Sequence, residues 1–292
     1  MTRSIRELAS GIYFGEAPRW NDGRLWFSDF YAHAVMSISL AGDLRTEFVI
    51  DDQPSGLGWL PDGSMLVVGM TKREVLRRTT NGEVTVHARL GDIATFHCND
   101  MVVDQNGRAY VGNFGLNLDE DVATRPIEEV IADHVTAKLA CILPGGEVRV
   151  VADEMHFPNG SVITPDGRTL IIAETLGFCL TAFDIAADGS LSNRRVWAPT
   201  GMRVPDGICL DADGAVWFAN AMANECVRIV EGGEILEVID TGQLCFACML
   251  GGDKGRSLFM LTADSSDAHA AAAAPSGRVL VAEVDAPRAG YP

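Results

Sequence analysis

No window of this chain stays apolar over the ~20 residues a membrane-spanning helix needs, and residues 1–15 hold no apolar run of the secretory kind, so the expected location is the cytoplasm. Positive charge is scarce as well. Lysine and arginine number 23 against 40 aspartates and glutamates, a formal net charge of −17, and so acidic a chain offers little to a polyanion. Nucleic acid and anionic membrane surfaces are thereby excluded as partners, which leaves a small molecule; no feature of the sequence fixes an oligomeric state. The chain also lacks a G-x-S-x-G elbow, an H-E-x-x-H pair and a Walker loop, which removes the common serine-hydrolase, zinc-protease and nucleotide-binding designs. No Ser-, Pro- or Gly-rich linker divides it, so residues 1–292 are expected to form a single domain. Cysteine is present in an odd number, seven, scattered at Cys98, Cys141, Cys179, Cys209, Cys226, Cys245 and Cys248, and such a set reads as buried thiols rather than a disulfide framework. Cys245 and Cys248 have C-x-x-C spacing, but residues three apart in a regular strand point to opposite faces, so a shared metal or disulfide is not expected there.

What the chain does contain is a repeat. Residues 157–174 read as a polar residue, a strand, the tight turn Pro165-Asp166-Gly167 and a second strand, glycine supplying the positive φ that such turns demand. The outline returns at 55–69, 99–113 and 206–220. In each copy the first residue (Ser55, Asn99, Asn159 or Asp206) precedes the turn glycine (Gly63, Gly107, Gly167 or Gly214) by eight positions. A fifth copy, one residue shorter, runs from Glu16 through Asp22-Gly23 to Ser28, and a degenerate sixth runs from Cys245 through Lys254-Gly255 to Thr262. Hairpins spaced by about forty to sixty residues, each followed by two more strand-like runs, match the four-stranded unit of a propeller. The predicted fold is all-β, a six-bladed β-propeller with four-stranded blades. A short strand at 4–9 precedes the first blade and the last blade shows only three strands of its own, so these are expected to pair and close the ring.

The longest interval between turns follows Asn113, where residues 116–136 turn acidic and place Ile127, Val130, Ile131 and Val135 at helical spacing. Strand direction locates this insertion in blade three. If Asn99 begins an innermost strand at one face, the Asn106-Gly107 turn lies at the other, and the returning strand delivers the insertion back beside Asn99 as a lid on a loop-built mouth. The loop 263–276, with its alanine run at 269–274, belongs to the same face and is compatible with either a short helix or an irregular segment.

Matched register also brings Glu16, Ser55, Asn99, Asn159 and Asp206 to one end of one channel. Of these, Glu16, Asn99, Asn159 and Asp206 are hard oxygen donors with a formal charge of −2, and the absence of His and Cys among them favours calcium, magnesium or manganese over zinc. Asparagine and aspartate also recur wherever a loop enters a strand, because their side chains satisfy local backbone groups, so register alone leaves a metal site and a purely local role both open. His33, His87, His134 and His269 show no partner in the sequence; His156, three residues before Asn159, is a candidate to support the site.

The segments Gly15-Glu16-Ala17-Pro18-Arg19-Trp20, Asn99-Asp100, Phe157-Pro158-Asn159-Gly160 and Pro205-Asp206-Gly207 resemble, in order and over nearly the whole chain, the motifs of the senescence marker protein/gluconolactonase/luciferin-regenerating family. The resemblance implies a six-bladed propeller and, as in many members, a metal-dependent lactonase. It places metal ligands at Glu16, Asn159 and Asp206, and at Asn99 a residue that contacts substrate or, as in the related diisopropyl fluorophosphatases, the metal. One divalent ion is implied, calcium first, with zinc, manganese or magnesium as alternatives. Two positions depart from the family pattern: His97 stands where sugar lactonases carry arginine, and the position of a sugar-contacting acid falls near Asn117, inside the divergent insertion. With Phe30, Phe96, Phe114, Phe157, Met202 and Met222 near the mouth, the expected substrate is a lactone less hydroxylated than gluconolactone. Asp206 is the expected proton acceptor, His97 an alternative base or a substrate donor, and Asn99, His97 and Phe114 the substrate contacts. Hydrolysis of organophosphates and non-catalytic binding of calcium or another ligand are the competing readings.

Overall fold

The computed structural model describes residues 3–292. Six four-stranded antiparallel sheets stand around one axis, with their innermost strands at Gly15–Asn21, Pro54–Trp59, Cys98–Val103, Pro158–Ile163, Pro205–Leu210 and Leu244–Gly251. These are the six blades that the repeat predicts. The turn glycines Gly63, Gly107, Gly167 and Gly214 all take φ between 70° and 82°, a region that only glycine enters freely. The ring closes as expected. Strand Ile5–Ile12 is the outermost strand of the last blade and pairs antiparallel with Gly277–Glu283, from Ile5 opposite Ala282 to Ile12 opposite Gly277.

One irregularity recurs in every innermost strand and was not legible from strict alternation. The ladder to the second strand slips between Glu16 and Arg19, Pro54 and Leu57, Cys98 and Met101, Pro158 and Ser161, Pro205 and Ile208, and Cys245 and Ala247. A bulge frees side chains from the regular up-down pattern and re-aims them. Glu16, Ser55, Asn99, Asn159 and Asp206 all lie within these slips. The residue after three of them is a glycine that the packing requires. A Cβ on Gly56 would lie 2.5 Å from Met101 N, one on Gly160 2.5 Å from Ile208 N, and one on Gly207 2.7 Å from Ala247 Cα, so neighbouring blades nearly touch there and the channel narrows.

The insertion forms two short helices, α1 (Leu118–Thr124) and α2 (Ile127–Asp133). Asn113 pairs with Cys98, so the insertion leaves its blade beside Asn99, as the strand directions require. Its apolar face is narrower than the helical spacing suggested. Val130 is fully buried and Ile131 half-buried, but Ile127 (43% exposed) and Val135 (57% exposed) face outward, Val135 because α2 has already ended. The alanine run is helical: α3 (Ala268–Ala273) starts where the Asp267 carboxylate accepts the Ala270 N–H at 2.8 Å. Among the described residues no helix is long and apolar enough to cross a membrane.

Candidate functional site at the channel mouth

Glu16, Asn99, Asn159 and Asp206 are all buried at the same end of the channel, with exposures of 5–8%. Each is held by its own strand entry. Glu16 Oε2 accepts the Ala17 N–H at 2.9 Å. Asn159 Nδ2 donates to Thr175 Oγ1 at 3.1 Å, and that hydroxyl donates onward to Pro205 O at 2.9 Å, which fixes the carboxamide and ties blade four to the strand that carries Asp206. Asn99 Nδ2 is buried without any hydrogen-bond partner. A buried amide left unmade costs about 1–3 kcal/mol, so an orphan of this kind marks a place where a further group belongs.

The orphaned N–H calls for an acceptor, whereas the carboxylates around it call for a cation. Burial pushes the Glu16 carboxyl well above its usual range, and the negative charges of Asp206 and Asp100 push it further. Asp206 is raised in the same manner, by burial first and then by Asp100, while the Asn159 amide and the Gly207 N–H partly offset this. The cation on the Glu16 strand is already committed. Arg19 reaches across blade two to blade three, where Nη2 bonds Asp100 Oδ1 and Met101 O, both at 2.5 Å, while Nε donates to Leu57 O at 3.0 Å and Nη1 to Pro18 O at 2.8 Å. Three carboxylates against one guanidinium leave a formal charge of −2, which a divalent ion would balance. The donor set suits a hard cation. Among the described residues no group of three or more His, Cys, Asp or Glu side chains gathers to hold a metal, so half the donors available here are asparagine amides.

Above this layer lies an aromatic roof. Phe14, Phe30, Met70, Phe246 and Ala271 of α3 form one buried cluster, with Phe14 centred 4.7 Å from Phe246 and 5.3 Å from Phe30. Phe114 is half-buried and joins this cluster to a second one, in which it lies 4.5 Å from Phe157 and shares contacts with Leu116, Leu176 and Val130 of α2. The two insertions also meet each other. Burial and the charge of Asp267 raise the Asp119 carboxyl on α1, and the Ala268 N–H at the start of α3 partly offsets this. Met202 and Met222 do not belong to the roof; they are 90% and 71% exposed.

His97 lies just before its strand rather than within it, so the face alternation expected to align it with Asn99 does not apply. Its ring stacks on Phe96 at 4.0 Å and lies 6.2 Å from Phe114, and burial lowers its pKa, which keeps it neutral at pH 7. No hydrogen bond among the described residues joins it to Glu16, Asn159 or Asp206. Sequence reasoning missed the Arg19–Asp100 pair, although both residues sat inside recognised motifs. It also missed a partner for His134, whose Nε2 lies 2.9 Å from His156 Nδ1 and links α2 to blade four.

A profile of the SMP-30/gluconolactonase/LRE-like region matches residues 14–264. The chain belongs to this family. Among curated proteins, regucalcin from Danio rerio is 26% identical over 185 residues, an alignment that spans 62% of this chain and 59% of that relative's length. Solved structures agree on the fold. A calcium-binding protein, regucalcin, from Agrobacterium tumefaciens superposes with a TM-score of 0.81 at 19% identity, covering all of this chain and 97% of that one. A gluconolactonase from Xanthomonas campestris gives 0.76 at 21% identity, over 96% and 89% of the two chains.

Proposed function

We propose that this family member is a metal-dependent hydrolase of a lactone less hydroxylated than gluconolactone. The observation that carries the reading is the pair of buried carboxylates, Glu16 and Asp206, each raised by burial and by the charge of Asp100, and Glu16 by Asp206 as well. Such an arrangement is costly unless a cation occupies it. Glu16, Asn159 and Asp206 would hold the ion, with Asn99 as a fourth donor or a substrate contact; calcium fits these oxygens best, and magnesium, manganese and zinc are the alternatives. When bound, the ion supplies Lewis acidity toward the lactone carbonyl and the attacking water.

The chain's own residues supply the rest. Asp206 takes the proton of the water as it attacks the carbonyl carbon and can return it to the ring oxygen as the lactone opens. Neutral His97 at the entrance offers a single hydrogen-bond donor where an arginine would present a fork to sugar hydroxyls. Phe114 and the roof exclude water and favour an apolar lactone body. The names of the similar proteins, a gluconolactonase and a calcium-binding regucalcin, support both the reaction class and the ion. A panel of apolar lactones, sugar lactones, aryl esters and organophosphates, assayed with calcium and with chelator, tests it. Turnover of apolar lactones lost on chelation is expected. Preference for organophosphates, or calcium binding without turnover of any member, would replace the reading by one of its competitors.

A further inference from the structure

Four of the seven cysteines converge behind the candidate site. Cys209, Cys226, Cys245 and Cys248 are buried in one apolar cluster between blades five and six. The expected separation of Cys245 from Cys248 onto opposite faces fails because the ladder slips between Cys245 and Ala247. The closest pair spans the two blades. Cys209 Sγ and Cys248 Sγ are 3.9 Å apart, on the innermost strands Pro205–Leu210 and Leu244–Gly251.

These strands touch two residues before Cys209, where a Cβ on Gly207 would lie 2.7 Å from Ala247 Cα. The gap still to be closed for a sulfur–sulfur bond is about 2 Å. Cys248 Sγ also lies 3.5 Å from Gly207 O and 3.4 Å from Trp217 O, so its position is registered directly against the peptide that follows Asp206. Nothing in the proposed hydrolysis uses these thiols. Both are 1% exposed, which bars bulky thiol reagents and enzymes, so the oxidant must be small and neutral and must reach them through local opening of the blades.

We propose that Cys209 and Cys248 form a redox pair that a small peroxide converts to a disulfide, stapling blade five to blade six behind Asp206. In the first step the Cys248 sulfur attacks one peroxide oxygen, the O–O bond breaks, and a sulfenic acid and one water result. The Cys209 sulfur then displaces the oxygen from Cys248 as a second water. Two S–H bonds and one O–O bond are lost and one S–S bond forms. Two electrons pass to the peroxide and both thiol protons leave in water. A dithiol reductant reverses the bond by exchange once local opening admits it.

The test is independent of the lactonase reading, because it counts thiols rather than turnover. The intact protein is treated with hydrogen peroxide, quenched, denatured, alkylated and weighed. Expected are two fewer alkylations than the seven free cysteines of the untreated chain, and a peptide pair carrying Cys209 and Cys248 that separates on reduction. Cys226→Ala should keep the cross-link, whereas Cys209→Ala and Cys248→Ala should lose it. Seven alkylations after peroxide, oxidation confined to half-buried Cys179, or a bond made through Cys226 would overturn the proposal.

Discussion

Replacing Asp206 by asparagine should separate what the carboxylate does for the fold from what it does for an ion. In chelator the wild type carries Glu16 and Asp206 as buried, mutually repelling acids, and the neutral isostere removes that burden while keeping the shape. Exchanging an uncompensated buried charge for a neutral group is worth about 1–4 kcal/mol. Unfolding entropy near 2.1 cal/mol/K per residue gives roughly 0.6 kcal/mol/K for a chain of 292 residues, so Tm in chelator should rise by about 2–6 °C. Calcium should reverse the order. At a hundredfold excess over Kd, binding stabilises the wild type by about 2.7 kcal/mol, or about 4 °C, and Asp206→Asn should lose most of that gain. The pH dependence has a definite sign. Folded carboxyls raised above their unfolded values contribute stability that is complete below an unfolded pKa of about 4 and is lost as pH climbs through the raised folded values, so chelated wild type should melt lower at pH 7.5 than at pH 5. Saturating calcium should flatten that slope. Scanning fluorimetry in chelator and in calcium, manganese, magnesium or zinc measures all of this. A wild-type Tm indifferent to every ion, or an Asp206→Asn variant less stable than wild type in chelator, would refute the reasoning.

His97→Arg should move kcat/KM toward sugar lactones by about tenfold, or ~1.4 kcal/mol of transition-state discrimination, as read from paired apolar and hydroxylated substrates; an unchanged ratio would remove His97 from substrate selection. Excising residues 116–136 with a short turn should raise KM or change substrate preference while Tm falls little, because of the insertion's expected apolar positions only Val130 is fully buried; equal kinetics would show that it is no lid. Arg19→Met should cost about 3–5 kcal/mol by stranding Asp100 in the channel, lowering Tm by roughly 5–8 °C, and adding Asp100→Asn should recover part of it; an additive double variant would deny the coupling.

The blades were legible because each turn glycine fixes a register, and register counted back eight residues finds Ser55, Asn99, Asn159 and Asp206. The bulge that aims these residues was harder to see, since a slipped ladder changes hydrogen bonds and not residue types. A signal was nonetheless present. Gly56, Gly160 and Gly207 stand directly after three of the first positions, where alternation would put a side chain, and glycine inside a strand announces close backbone approach. The opposite faces expected for Cys245 and Cys248 fail for the same reason. The Arg19–Asp100 bond and the meeting of α1 with α3 could not be read in advance, because each joins residues far apart in sequence through the curvature of the ring, which no local pattern encodes.

The closing strand sets an order of events. Ile5–Ile12 is synthesised before all six innermost strands, yet its ladder partner among the described residues, Gly277–Glu283, emerges after them, so that edge waits unpaired while the other blades are made. Five blades consist of consecutive chain and can form as they emerge, but the sixth belongs to both ends, and Arg3 adds ion pairs to Glu237 at 2.6 Å and Asp285 at 2.8 Å when they finally meet. Completion of the ring thus waits for the last strand of the sixth blade. A nascent chain held on a stalled ribosome with residue 277 still in the tunnel would present five finished blades and one open edge, a transient template on which a second nascent chain could dock its own first strand and produce a swapped dimer.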